Sequence, residues 1–190
     1  MTSMMKLKPL LAAAALALST LAAQAATVVL TSIAPARVGT GVDLQLSVTT
    51  PFASLAANEE LLSFGFRLSY DTARLSFTGF SAAAGWDDDS AWLGAGQFSA
   101  SSFPGIANQG QATLLLGTLH FEAWQGGTAQ IRLVTDAGNL NHGLGFLWSD
   151  VQPLNTALDL SVSAVPEPTA MLLFGAGLGV IGLSRRRSRS

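Results

Sequence analysis

Apolar and polar residues alternate through the middle of the chain. Val42, Leu44, Leu46 and Val48 are spaced by Asp43, Gln45, Ser47 and Thr49, as in a strand with one buried face. Leu62, Phe64, Phe66, Leu68 and Tyr70 alternate with Ser63, Gly65, Arg67 and Ser69, the strongest run of this kind. Asp71 to Arg74 then reads as a tight reversal leading into Leu75 and Phe77. Ala112 to Ala123 is long and β-rich, with Leu115, Leu119, Phe121 and Ala123 expected on one face and Gly117 as a bulge. Ala129, Ile131 and Leu133 alternate again, and Leu158, Leu160 and Val162 end the pattern. Turn-forming clusters separate the runs, and no segment from Ala26 to Ala164 sustains a 3.6-residue apolar stripe. The pattern predicts an all-β fold: eight or nine strands in two antiparallel sheets, forming a jelly-roll-like sandwich. Ser81 to Gly110, small and polar, is left open between one long loop and a weak strand.

The two ends follow other rules. Lys6 and Lys8 precede an apolar run from Leu10 to Leu21, and Ala23-Gln24-Ala25 offers small residues to a signal peptidase, so 1–25 reads as a signal helix. Ser163 to Thr169 is an extended linker around Val165-Pro166-Glu167-Pro168, because each proline fixes its own backbone and turns its predecessor away from helix. Ala170 to Leu183 carries no charge. As a helix it would reach roughly 21 Å, short of a ~30 Å hydrocarbon core, which makes it a marginal transmembrane helix. Arg185, Arg186, Arg187 and Arg189 follow, and basic residues beyond an apolar segment hold that end in the cytoplasm. The expected organisation is a signal peptide at 1–25, a sandwich at 26–162, a linker at 163–169 and a membrane segment with its basic tail at 170–190.

Setting the ends aside changes the charge. The whole chain has formal charge −2, yet residues 26–164 hold four arginines against eleven acids, a formal −7. Such a body lacks the phosphate-neutralising cations that nucleic-acid binding requires. Without any cysteine the chain has no thiolate nucleophile and no cysteine-ligated metal.

Two resemblances emerge. Proline-flanked glutamate, short glycine-rich apolar segment and terminal arginines, in that order from Val165 to Ser190, resemble the PEP-CTERM sorting signal. That resemblance implies a Gram-negative bacterium, processing by an exosortase near the Pro-Glu-Pro box, and release to or display at the cell surface, often beside exopolysaccharide. Phe64-Gly65-Phe66-Arg67-Leu68-Ser69-Tyr70-Asp71 leading to Leu75-Ser76-Phe77 resembles a strand-turn-strand hairpin of cohesin-like domains. Val38 to Leu44 is similar to their opening strand, and Gly117 to Ala123 with Gly127 to Leu133 to a later pair. A cohesin-like sandwich is thus implied, with a dockerin-like protein partner as one family activity and carbohydrate binding or plain adhesion as others.

Candidate chemistry is sparse. His120 is expected on the outward face of a strand and His142 in a Gly/Asn-rich loop, neither in a catalytic or metal-binding motif. Asp87-Asp88-Asp89 is the only acidic cluster; Asp87 and Asp89 form a weak calcium candidate, against a solvated loop. Trp86 and Trp92 bracket it and are the candidate sugar-stacking pair, the alternative being that each caps the sandwich with its N–H bonded to a carbonyl. Trp124 and Trp148 also flank loops. An Asp87–Asp150 pair for glycoside hydrolysis is the weakest reading. The sequence therefore points to an exported, non-enzymatic surface protein that is adhesive or associated with extracellular polysaccharide; the alternatives are a dockerin-like partner and, last, a secreted hydrolase. No cofactor is expected apart from that calcium candidate.

Overall fold

The computed structural model describes residues 26–164. The signal segment, the Val165-Pro166-Glu167-Pro168 box, the apolar segment and Arg185, Arg186 and Arg187 lie outside the described residues. The strands are β1 (Thr27–Ser32), β2 (Ala36–Arg37), β3 (Thr40–Thr49), β4 (Glu60–Tyr70), β5 (Leu75–Ala82) and β6 (Asp87–Asp88). They continue with β7 (Gln97–Ala107), β8 (Thr113–Ala123), β9 (Gly127–Val134), β10 (Gly143–Phe146) and β11 (Thr156–Ser163). A single 3-10 turn, Ser90–Trp92, lies between β6 and β7. β2 and β6 are two-residue edge pieces, so the main strands match the count expected from patterning.

One sheet has four strands in the order β1-β3-β8-β5. The other has seven: β2-β11-β9-β4-β7-β6, with β10 also on β4. All pairings are antiparallel except the short β2–β11 contact. The inward faces meet in one core. Val42, Leu44, Leu46 and Val48 supply it from β3, Leu119, Phe121 and Ala123 from β8, and Ala129, Ile131 and Leu133 from β9. Through its centre runs an aromatic network in which Phe64 meets Trp86 edge-on at 4.9 Å and Phe66 stacks on Phe98 at 5.6 Å. Such contacts add to area burial because ring edges and faces carry opposite partial charge.

Bulges account for the places where simple alternation fails. In β8, Leu46 faces Gly117 while Ser47 faces Leu115, so Leu116 is the extra residue beside the expected Gly117. The inward phase switches there: Leu116 is buried and Leu115 is 41% exposed, which corrects the expectation for Leu115. β4 switches phase between Leu61 and Ser63, so Leu61 rather than Leu62 enters the core. Opposite that point, residues 102–105 of β7 loop out against Leu62 alone. The Asp71–Arg74 reversal is real but closes no hairpin, since β4 and β5 lie in different sheets. Asp71 braces that crossing by accepting from the Ala73 amide (2.9 Å) and the Arg74 guanidinium (2.6 Å). Finally, the open Ser81–Gly110 stretch contains an eleven-residue strand, β7, whose serines and alanines satisfy the ladder without an apolar signature.

Candidate functional site

The outer face of the seven-stranded sheet is crossed by a strap, the segment 135–142 between β9 and β10. Gly65 makes the crossing possible, because a Cβ there would fall on the Asn141 carbonyl oxygen. From the strap, Asn139 Nδ2 donates to Gln97 Oε1 on β7 at 2.8 Å, and Asn141 N donates back to Asn139 Oδ1 at 3.0 Å. His142 anchors the strap from below. It lies in a loop as expected, but buried to 2% exposure rather than solvated, and its Nδ1 accepts the Asp136 amide at 3.1 Å. Burial holds its pKa below the ordinary histidine value, with Arg67 pushing the same way and Asp136 opposing.

On the β7 side of the strap lies a polar cavity of about 320 Å³, lined by Ser63, Asp89, Trp92, Leu93, Ser99, Ser101 and Asn141. Ser63 and Ser101 are cross-strand neighbours on β4 and β7, and Ser99 is paired with Gly65. Asp89 Oδ2 accepts the Ser101 hydroxyl at 2.6 Å. The Ser90–Trp92 turn carries Trp92 to the cavity mouth with 87% of its surface exposed. A flat indole, a carboxylate, hydroxyls and an amide thus converge on one depression. That combination can stack on the C–H face of a sugar ring while hydrogen-bonding its hydroxyls. On the other side of the strap a second hollow of about 300 Å³ is lined by apolar Ala137, Leu140, Val151 and Pro153 together with Thr135, Asp136, Asn139 and His142.

The sequence-derived candidates fare unequally against this geometry. Trp92 and Asp89 come together in the cavity. Trp86 does not: it is 7% exposed, packed on Phe64, with Nε1 donating to the Leu115 carbonyl at 3.3 Å. It is a core residue with its N–H on a carbonyl, the alternative weighed for it above, and its buried ring is not available to stack on a sugar. The aspartate triplet divides its labour. Asp87 sits exposed on β6 opposite Ser101, Asp88 caps the Ser90 amide at 2.9 Å, and Asp89 takes Ser101. Among the described residues no group of three or more His, Cys, Asp or Glu side chains is arranged to hold a metal ion. Asp150 lies near Gln152, which bridges to β10, leaving β7, β4 and β10 between it and Asp87. At sheet spacing those four inter-strand steps make roughly 19 Å, beyond the reach of a carboxylate pair around one glycosidic bond. Trp124 and Trp148 are exposed at 55% and 71%.

Sequence reasoning missed Ser63, Ser99, Ser101 and Asn141. The Ser99-x-Ser101 alternation is a strand-face signal, but only pairing with Ser63 turns it into a site. It also missed Glu59, which is 1% exposed. Its carboxylate accepts the Trp148 amide at 2.9 Å, the Ser149 hydroxyl at 2.5 Å and the Glu60 amide at 3.2 Å. Burial alone would raise its pKa, yet the Ser149 hydroxyl and the amides of Trp148, Glu60 and Leu147 outweigh that and hold it below the ordinary value.

The sandwich just described is a cohesin-like fold. A cohesin module from a family 33 glycoside hydrolase of Clostridium perfringens superposes with a TM-score of 0.52 at 11% identity, over 74% of this chain and 98% of that one. The seventh type I cohesin of ScaB from Pseudobacteroides cellulosolvens gives 0.47 at 17% identity, over 76% and 96%. The sixth cohesin of scaffoldin B from Acetivibrio cellulolyticus, solved with a Cel5 dockerin, gives 0.44 at 13%, over 72% and 99%. The first of these carries the fold assignment. No curated protein matches the chain. Residues 164–188 match the PEP-CTERM protein-sorting motif. The chain therefore bears a signal for export and cell-surface sorting, one that implies processing by an exosortase.

Proposed function

We propose that this protein is a surface-displayed binding module that holds extracellular polysaccharide in the cavity beside the strap. The supporting observation is the convergence of exposed Trp92 with Asp89, Ser63, Ser99, Ser101 and Asn141 around about 320 Å³. The cavity volume is at the small end of ligand pockets, suited to one or two sugar units of a longer chain. Asp89 is the sole carboxylate among the lining residues, which supports a binding role over hydrolysis by a carboxylate pair. The −7 body favours neutral or cationic glycans over polyanions. Residues 26–162 form the working domain in this reading, and the linker and tail after it form an address label removed at the Pro-Glu-Pro box after export. The membrane segment halts the chain for that step and is no lasting anchor, since it is too short to span comfortably.

Binding of the producing bacterium's purified exopolysaccharide tests the reading. Trp92→Ala and Asp89→Ala are expected to weaken it at least tenfold each while leaving the melting temperature within a degree or two. Unchanged affinity in both variants would contradict the cavity assignment. A second reading, a dockerin-like protein partner, is favoured by Phe103 and Trp148, apolar side chains exposed at 97% and 71%. It predicts protein capture that survives Trp92→Ala and fails in Phe103→Ala with Trp148→Ala.

A further inference from the structure

The outer face of the four-stranded sheet carries an arrangement that the polysaccharide reading does not use. His120 stands at the centre of β8, directly paired with Asp43 on β3. Ser81 is on β5 on its other side, two residues beyond Gly79, the residue opposite His120, and is itself paired with Thr118. The imidazole bridges the two: Nδ1 lies 2.8 Å from Asp43 Oδ1, and Nε2 lies 2.9 Å from Ser81 Oγ. All three face solvent, the His120 and Asp43 side chains at 34% and 53% exposure. The outward position expected for His120 is correct, but its partners, 77 and 39 residues away in sequence, emerge only through strand pairing.

Elementary chemistry fixes the protons. An ionised carboxylate only accepts, so the Nδ1 atom facing Asp43 carries the hydrogen in the neutral ring. Nε2 is then a lone pair, and the hydrogen between it and Ser81 belongs to the hydroxyl. A serine donating to an imidazole that a carboxylate holds in the right tautomer is the arrangement that activates a hydroxyl for acyl transfer.

We propose that Ser81, His120 and Asp43 form an acyl-transfer site on the sheet face opposite the cavity. Ser81 Oγ attacks an ester carbonyl and forms a new C–O bond as its proton passes to His120 Nε2. The ester C–O bond breaks, the leaving alkoxide takes that proton, and an acyl-serine remains. Water then attacks the acyl carbonyl, gives its proton to His120, and the carboxylic acid departs as Ser81 regains its hydrogen. No oxidant, metal or further reactant is needed. Asp43 touches no substrate and is a positioning residue. The open face selects by accessibility and not by a pocket: Gly79 leaves clearance beside the imidazole, and Gln45 and Thr118 border the site. Small acyl esters of the acetyl class, borne on an extended carrier, fit that geometry. Water rather than fixed donors stabilises the oxyanion, and loss of one such donor costs 10²–10³ in rate elsewhere, so turnover here is slow.

The test uses the full-length chain, a fluorophosphonate probe and p-nitrophenyl acetate. Peptide mass mapping is expected to place the phosphonyl adduct, and an acetyl adduct after brief exposure to the ester, on Ser81. Ser81→Ala removes both adducts. His120→Gln slows labelling by about 10²-fold, within the range of lost base catalysis. Asp43→Asn slows it at least tenfold and alters the pH profile of labelling. These positions are on a solvent face, so thermal melts of the variants should match wild type and separate lost chemistry from lost fold. Labelling of Ser81→Ala equal to wild type, or adducts spread over other exposed serines, would overturn the proposal. An Asp43→Asn variant with the wild-type rate and pH profile would overturn the positioning role.

Discussion

Glu59 shows how much one side chain can organise. It ties the segment before β4 to the one after β10 through a buried carboxylate with three donors. Because its folded pKa lies below its ordinary value near 4.5, its contribution is complete above that value and is lost as pH falls toward the lowered one. His142 acts at higher pH. Its depressed pKa means that the unfolded chain takes up a proton first as pH falls below about 6.5, so stability declines there too. We expect urea unfolding to show two acid slopes, the upper abolished by His142→Gln and the lower by Glu59→Gln. Glu59→Ala should cost about 2 kcal/mol at pH 7 by stranding its donors. Neither residue was legible beforehand: a glutamate or histidine in a polar loop looks solvated until the loop is folded onto a sheet.

At the scale of elements, the strap and the bulges decide what the sheets present. Gly65 is the seat of the strap, and Gly65→Ala must push Asn141 off β4, opening the cavity that Asn141 lines. Hydrogen exchange of the 135–142 amides should rise in that variant while the β3 and β8 core amides stay protected. Unchanged exchange would mean that the strap does not rest on Gly65. β3, β9 and β11 could be read in advance because one face of each is apolar and unbroken in phase. β7 could not, since its outward serines and small inward residues carry no period-2 hydrophobic signal. In β4 and β8 each bulge shifts the inward phase by one residue, so strict alternation points to Leu62 and Leu115 while Leu61 and Leu116 occupy the core.

For the whole molecule, the sandwich and the sorting motif were legible because both are set by local order: alternation for the first, a proline box followed by an apolar segment and arginines for the second. The cavity was half legible. Trp92 and Asp89 stood out by residue type, whereas Ser63, Ser99, Ser101 and Asn141 join them only through the β4–β7 pairing and the strap. Trp86 follows the second of the two courses open to it, ring inward and N–H on the Leu115 carbonyl, and its place beside an acidic loop does not by itself choose between them. Intact-mass analysis of the protein recovered from its native host should give a chain starting near Ala26 and ending near the Pro-Glu-Pro box. Retention of Arg185 to Ser190 would contradict the processing step.

Tryptophan fluorescence during titration with the host's exopolysaccharide is the most direct test of the binding account. Trp92 is 87% exposed, Trp124 and Trp148 are exposed as well and Trp86 is buried, so contact with sugar at the cavity must alter the Trp92 share of the accessible component. The account predicts a saturable spectral change with protection from iodide quenching, both lost in Trp92→Ala. A titration that leaves the wild-type spectrum and quenching unchanged would contradict it.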